Sequence, residues 1–226
     1  MLALIDADLD GRDGDGQGGD GPLLVVLGDM IDRGLESAGV LAHLRDLESG
    51  LPGNVACLMG NHERMMLDFL DDPERGARWL RAGGRATLGS FGLDPAAPAD
   101  TPAARAGLAR GLRAALPAGT EAWLRGLALA RQVGGVLCVH AAALPDRAPG
   151  DQPERVLLWG DPSATRRPRR DGLQVVHGHT IVARPERVGD RIAIDTGCWR
   201  TGRLSAAAIA PDGALRFLST PGWGAG

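Results

Sequence analysis

Apolar residues gather into four short runs along this chain, and each run ends in a polar group. LLVVLGD closes at Asp29, NVACLMGNHE at Asn61 and His62, GGVLCVH at His140, and GLQVVHGH at His177 and His179. Runs this short, rich in Val and Leu and bounded by Gly, read as buried strands. Between the first two, residues 37–49 repeat with a helical period. Val40, Leu41, Leu44 and Leu47 share one face, and Ser37 is placed to cap it. Leu2, Ile5 and Leu9 likewise line one side of an N-terminal helix, LALIDADL. Residues 63–130 read as mostly helical, broken by Pro and Gly at 92–102 and at Pro117. After residue 180, RPERVGDRIAIDTG and LSAAAIAPDGALRFLS read as hairpins, the second turning at Asp212-Gly213. These elements predict an α/β protein with mixed sheets, a single domain over residues 1–226 with a helical insertion at about 63–130.

Composition narrows the function classes. A net charge of -3 gives no bulk attraction to nucleic acid or to an anionic membrane, so neither is expected as a partner. All 25 basic residues are arginine, and lysine and tyrosine do not occur, which reads as coding bias. No apolar run reaches the ~18 residues of a membrane helix, and no signal peptide is visible, so a cytoplasmic protein is expected. The three cysteines, Cys57, Cys138 and Cys198, sit in or beside apolar runs without CxxC spacing and read as small buried hydrophobes. The segment DGRDGDGQGGDGP is acidic but lacks the terminal Glu of a twelve-residue calcium loop, and reads as a solvated loop.

Candidate chemistry sits at the ends of the apolar runs. There are five histidines and two asparagines, and four of those histidines and Asn61 fall at or beside predicted strand ends. Such positions are held on a rigid scaffold yet reach solvent, where α/β folds place ligand sites. Asp29, Asn61, His140 and His179 together form a mixed oxygen and nitrogen donor set. That set suits Mn, Fe or Zn better than Ca or Mg. An aspartate can bridge two such ions about 3.5–4 Å apart, an arrangement that binds a phosphoryl group and activates water. His62 directly follows Asn61 and is placed to protonate a leaving oxygen if a carboxylate such as Asp32 fixes its tautomer. Arg33 can hold phosphate oxygens in a bidentate fork. His177 and Asp195 read as supporting residues, His43 as a surface residue, and the five tryptophans as packing residues.

Four motifs in order carry a resemblance. GDMIDRG resembles the GDxxDRG motif of the phosphoprotein phosphatase branch of the calcineurin-like metallophosphoesterases, and GNHE, VHAA and HGHT are similar to the next three motifs of that family. The resemblance spans about residues 1–200 and points to the small bacterial serine/threonine phosphatases and the symmetrical diadenosine tetraphosphate hydrolases. It implies a β-sandwich flanked by helices and direct attack of metal-activated water on phosphorus. It implies Asp29 as the bridging metal ligand and Asn61, His140 and His179 as the remainder of the second metal site. Asn61 and Arg33 would also meet substrate, with His62 as general acid oriented by Asp32. The implied cofactor is a pair of divalent ions, Mn first, and the implied substrates are phosphorylated proteins or dinucleoside polyphosphates.

The chain departs from the family pattern in two places. The opening GDxHG motif, with the first strand and two ligands of the first metal, has no counterpart, and LALIDADL resembles the helix that follows it. The departure implies a shortened product or a variant that keeps one metal or none, and leaves a catalytically silent binding domain as an alternative. The second is an arginine expected soon after the LLW segment. Asp161 stands near that place, with Arg166, Arg167, Arg169 and Arg170 as substitutes.

Overall fold

The computed structural model describes residues 1–10 and 21–223. The Gly/Asp segment at 11–20 lies outside the described residues. Along the chain the elements run α1 (Leu2–Asp10), β1 (Leu24–Val26), α2 (Ser37–Gly50), β2 (Val55–Cys57), α3 (Asn61–Asp71), α4 (Gly76–Trp79), α5 (Arg85–Ser90), α6 (Pro102–Ala115) and α7 (Thr120–Gly126). There follow β3 (Ala130–Val133), β4 (Val136–Val139), α8 (Glu154–Trp159), β5 (Gln174–His177), β6 (Glu186–Val188), β7 (Arg191–Ala193), α9 (Cys198–Thr201), β8 (Ser205–Ile209) and β9 (Leu215–Ser219). The fold is mixed α/β, and its described residues divide into two compact units.

Leu23–Leu129 form the first unit. Here β1 and β2 pair in parallel, Leu24 opposite Val55 and Val26 opposite Cys57. Parallel neighbours need a crossover, and α2 supplies it. Its buried apolar anchor is Leu41, whereas Val40 is exposed. Ser37 does not cap α2. It is the first helical residue, and its hydroxyl accepts from the Asp32 N–H at 3.1 Å, because that inward-turned N–H has no partner in a helix or sheet. The predicted helical stretch holds α3 to α7. Its centre is Phe69 against Trp79, with ring centroids 5.0 Å apart and both side chains buried. A Cβ at Gly76 would lie 2.2 Å from Phe69, and one at Gly84 2.5 Å from Trp79, so both glycines are needed for that packing. Between α4 and α5 the chain kinks at Gly83, whose φ of 137° is outside the helical region.

The described residues of Met1–Pro22 and Ala130–Gly226 form the second unit. Its five-stranded mixed sheet has the order β3-β4-β5-β7-β6. The inner strands β4, β5 and β7 are parallel, and the edges β3 and β6 are antiparallel to their neighbours. Leu137, Val139, Val175, Val176 and Ile192 supply its core. Strand β3 reads ARQV and is mostly exposed, so its sequence carries no apolar run to announce it. Both predicted hairpins form. β6 turns into β7, and β8 pairs with β9 around Asp212 and Gly213, whose φ is 85°. Cys57 and Cys138 are buried and Cys198 is half-buried, all as free thiols. Burial pushes the Cys57 thiol up to about 12 and that of Cys138 up to about 11, which keeps both unreactive.

Candidate active site

In the first unit, β1 stops at Val26 and the chain enters a turn of unusual backbone geometry. Gly28 has φ 85°, Asp29 55°, Asp32 75° and Arg33 64°. Among the described residues, His179, at 62°, is the one other non-glycine in the left-handed region. That region costs a side-chain-bearing residue of order 1 kcal/mol or more, and it gathers where function demands it. The four strained non-glycine positions are thus two expected metal ligands, Asp29 and His179, the expected phosphate contact Arg33, and Asp32, expected to orient His62.

Named contacts hold the turn. The fully buried Glu63 carboxylate accepts three backbone N–H groups, those of Asp29 (2.9 Å), Met30 (2.7 Å) and Gly60 (2.8 Å). Burial and the nearby Asp29 charge push the Glu63 pKa up, and the three donors pull it back. The Asp32 N–H points to the Ser37 and Thr87 hydroxyls, and the Arg33 N–H to the Gly83 carbonyl. The turn presses on the start of α3. A Cβ at Gly28 would lie 2.4 Å from the Gly60 nitrogen, and one at Gly60 2.4 Å from the Asp29 nitrogen. Glycine in both the GD and the GN pair is thus the condition for backbone contact between them.

The contact delivers a buried chain of polar side chains. His62 Nδ1 lies 2.5 Å from Asp32 Oδ2. The other oxygen of Asp32 accepts from the Thr87 hydroxyl at 2.6 Å and the Trp79 indole N–H at 3.2 Å. A carboxylate partner at Nδ1 places the proton there and leaves Nε2 facing Arg33 and Asp29. Nε2 lies 3.3 Å from the Arg33 guanidinium and 4.0 Å from an Asp29 oxygen. Burial works to lower the His62 pKa. The Asp32 hydrogen bond and the charges of Asp29 and Asp32 outweigh it and raise the net value. Arg33 is steered by the Ala82 carbonyl, which accepts from its Nε at 3.2 Å. Asn61 is buried in the first turn of α3, and the His62 N–H donates to Asp29 Oδ1 at 3.2 Å. Asn61 and His62 stand on a helix start, because β2 ends at Cys57.

In the second unit, His140 directly follows β4 and His179 lies two residues past β5, the parallel neighbour. The His140 carbonyl accepts the Gly178 N–H at 2.9 Å, which locks the two strand ends together. His140 Nε2 and His179 Nδ1 lie 3.2 Å apart, with the rings edge to face. The same spacing is that of two nitrogens on one ion at about 2.1 Å each, roughly 3.0–3.4 Å, so the pair fits a shared divalent metal. Trp159 packs edge-on to His179. His177 ends β5 with Nδ1 3.1 Å from the Gly178 carbonyl oxygen, and burial lowers its pKa. Asp195 Oδ1 accepts the Gly197 N–H, a supporting role.

Other expected residues fall elsewhere. Arg169 is buried and spent on the carbonyls of Leu144 and Arg147 and on Asp171. Arg167 pairs with Asp146. Asp161 caps the turn at Pro162–Thr165 and pairs with Arg155, which together hold its carboxyl down to about 2. Arg166 and Arg170 remain exposed. His43 is exposed as read. Trp79 is more than packing, since it donates to Asp32, and Trp199 and Trp223 are exposed. Glu63, Thr87, Trp79 and Gly83 escaped the sequence reading. Only Glu63 had a local signal, a carboxylate within the apolar face of α3 next to Asn61 and His62.

The sequence profile of calcineurin-like phosphoesterases matches residues 15–199, and the chain belongs to that family. Its members are hydrolases that use divalent metals. No curated protein matches the sequence. Among solved structures, a protein proposed to be a diadenosine tetraphosphatase is 22% identical, with 98% of this chain and 88% of that one covered and a TM-score of 0.60. A protein serine/threonine phosphatase from Saccharomyces cerevisiae is 14% identical over 97% of this chain and 76% of that one, at 0.55. A metallophosphoesterase from Sphaerobacter thermophilus is 16% identical over 98% and 84%, at 0.50. At these identities the likeness is one of fold. No helix among the described residues is long and apolar enough to cross a membrane.

Proposed function

We propose that the chain acts as one metallophosphoesterase domain hydrolysing phosphate monoesters of phosphoproteins, with the helical segment at about 63–130 as an insertion. The observation that carries this reading is the hydrogen-bonded chain from buried Asp32 through buried His62 to the exposed Arg33. Asp29, Asn61, His140 and His179 are the proposed metal ligands, with Mn as the first choice of ion. Bound there, a divalent ion would neutralise phosphoryl charge and activate water. The protein's own part is distinct. Arg33 and Asn61 bind phosphate oxygens and fix the phosphorus. Asp32 holds the proton of His62 on Nδ1 while the leaving oxygen takes a proton from Nε2 of the imidazolium. A purely binding role gives no reason for the Asp32 to His62 geometry.

A second reading is symmetrical hydrolysis of a dinucleoside tetraphosphate, favoured by the likeness in fold to the protein proposed to be a diadenosine tetraphosphatase. The test is Mn-dependent hydrolysis of an aryl phosphate by the full chain. His62→Ala should lower turnover at least about a hundredfold. Equal turnover in the variant would remove His62 from the chemistry, and no turnover in the parent chain would leave the silent domain standing. Phosphopeptide and dinucleoside tetraphosphate, compared by kcat/KM, separate the two readings.

A further inference from the structure

The second unit holds a cavity of about 250 Å³ outside the residues described so far, lined by Ile181, Val182, Ala183, Thr196, Arg200, Thr201 and Arg203. Its threonines are occupied with backbone. Thr196 donates to the Arg203 carbonyl, and Thr201 donates to the carbonyls of Thr196 and Gly197 while accepting the Arg203 N–H. These bonds fix the loop that carries both arginines. Gly197, at φ 65°, lets Ile181 close over it, since a Cβ there would sit 3.2 Å from the Ile181 side chain. The arginines differ from the threonines. Arg155, Arg167 and Arg169 in the same unit are ion-paired. Among the described residues, the guanidiniums of Arg200 and Arg203 have no carboxylate partner, and the nearby Asp195 carboxylate is turned to the Gly197 N–H.

We propose that this cavity binds the phosphate chain of a nucleoside phosphate. Two arginines without a carboxylate partner in the lining of one cavity offer a donor set for phosphate oxygens. The volume exceeds what one phosphate needs and falls below the roughly 300–1,000 Å³ of a site that encloses a whole drug-sized ligand. The ligand is therefore one that leaves part of itself outside. Trp199, 49% exposed, lies beside Arg200, whose guanidinium carbon is 5.9 Å from the indole centroid. A half-exposed indole next to a lining arginine is a stacking surface for a nucleobase. Ile181 is two residues from His179, at most about 7 Å along the chain. Ile181 therefore joins the cavity to the histidine pair by two residues of chain within one unit. Only the use of that link in hydrolysis rests on the phosphoesterase reading, and specifically on its dinucleotide form.

The test uses the full chain in chelator, with ADP titrated against tryptophan fluorescence and by calorimetry. ADP should bind saturably, inorganic phosphate more weakly, and adenosine not measurably. Arg200→Ala and Arg203→Ala should each weaken ADP about tenfold or more, and Arg200→Lys should lose less. Arg200 is exposed, so its variants keep the fold even if Arg203→Ala does not. His62→Ala should bind ADP as the parent does while losing hydrolysis, which shows the subsite to be separate from the catalytic chain. Unchanged ADP binding in both Arg200 variants overturns the site. So does the absence of ADP binding in a chain that still turns over aryl phosphate, or a phosphopeptide that binds through Arg200 where ADP does not.

Discussion

At the residue scale, Glu63 organises more of the site than any proposed ligand does. Its two oxygens take three N–H groups from two separate backbone segments, and all of them meet at Asp29. Glutamine has the same shape but only one carbonyl oxygen. Glu63→Gln should leave at least one buried N–H facing an amide NH2 and lower stability by about 1–3 kcal/mol. Urea unfolding measures the loss, and aryl phosphate turnover should fall further than the unfolded fraction explains. A variant with parental stability and turnover would mean the three bonds are replaceable. Thr87→Val removes the 2.6 Å hydroxyl bond to Asp32 and, with it, an acceptor for the Asp32 N–H. Its kcat should drop with KM little changed, because it acts on the orientation of His62 and not on substrate. If KM moved and kcat did not, Thr87 would have to touch substrate. The sequence announces Asp32, His62 and Arg33, because their side-chain types are themselves the chemistry. Thr87 and Trp79 lie 55 and 47 residues from Asp32, and nothing local marks them. Ser37 was legible as a helix start, yet its hydroxyl serves Asp32.

At the scale of elements, strands and helices were legible wherever an apolar period was present. β1, β2, β4 and β5 sit within the four runs, and the last two hairpins follow from their turns. β3 was invisible because an exposed edge strand needs no apolar face. The placement of Asn61 was legible only in part. Three residues separate Cys57 from α3, and the Gly28 to Gly60 contact sets where the helix begins. That contact makes Gly60→Ala a test of the element junction. The added methyl would sit 2.4 Å from the Asp29 nitrogen and its Oδ1, and 2.6 Å from Glu63. Overpacking of this kind costs about 1–3 kcal/mol. A lower thermal midpoint is expected, together with weaker Mn dependence of turnover. Gly50→Ala is the control, since no atom lies within 4 Å of its Cβ position. A Gly60 variant that behaves like the Gly50 variant would show that the junction can shift.

At the scale of the whole molecule, His177 links folding to pH. Burial holds its pKa below the ordinary histidine value, so the folded chain keeps it neutral where the unfolded chain takes up a proton. The unfolded state then binds more protons, and stability falls as pH drops through about 6.5, the unfolded value. The loss continues until pH passes below the folded pKa and then levels off. His62 and Glu63, with raised values, contribute with the opposite sign, so the His177 effect is read as a difference: in chelator, the thermal midpoint of the parent relative to that of His177→Gln should fall as pH drops across this window. Parallel slopes in the two proteins would place the titration elsewhere.

The left-handed residues bear on the same global stability from the opposite side. At Asp29, Asp32, Arg33 and His179 the backbone occupies a region that glycine enters without steric cost. At those positions the side chain proposed to serve the reaction is the one that strains the chain. A laboratory selection for heat resistance alone would reward glycine or asparagine there and, round by round, erase the proposed site while improving the scaffold. A library meant to harden this protein must therefore screen turnover at every round.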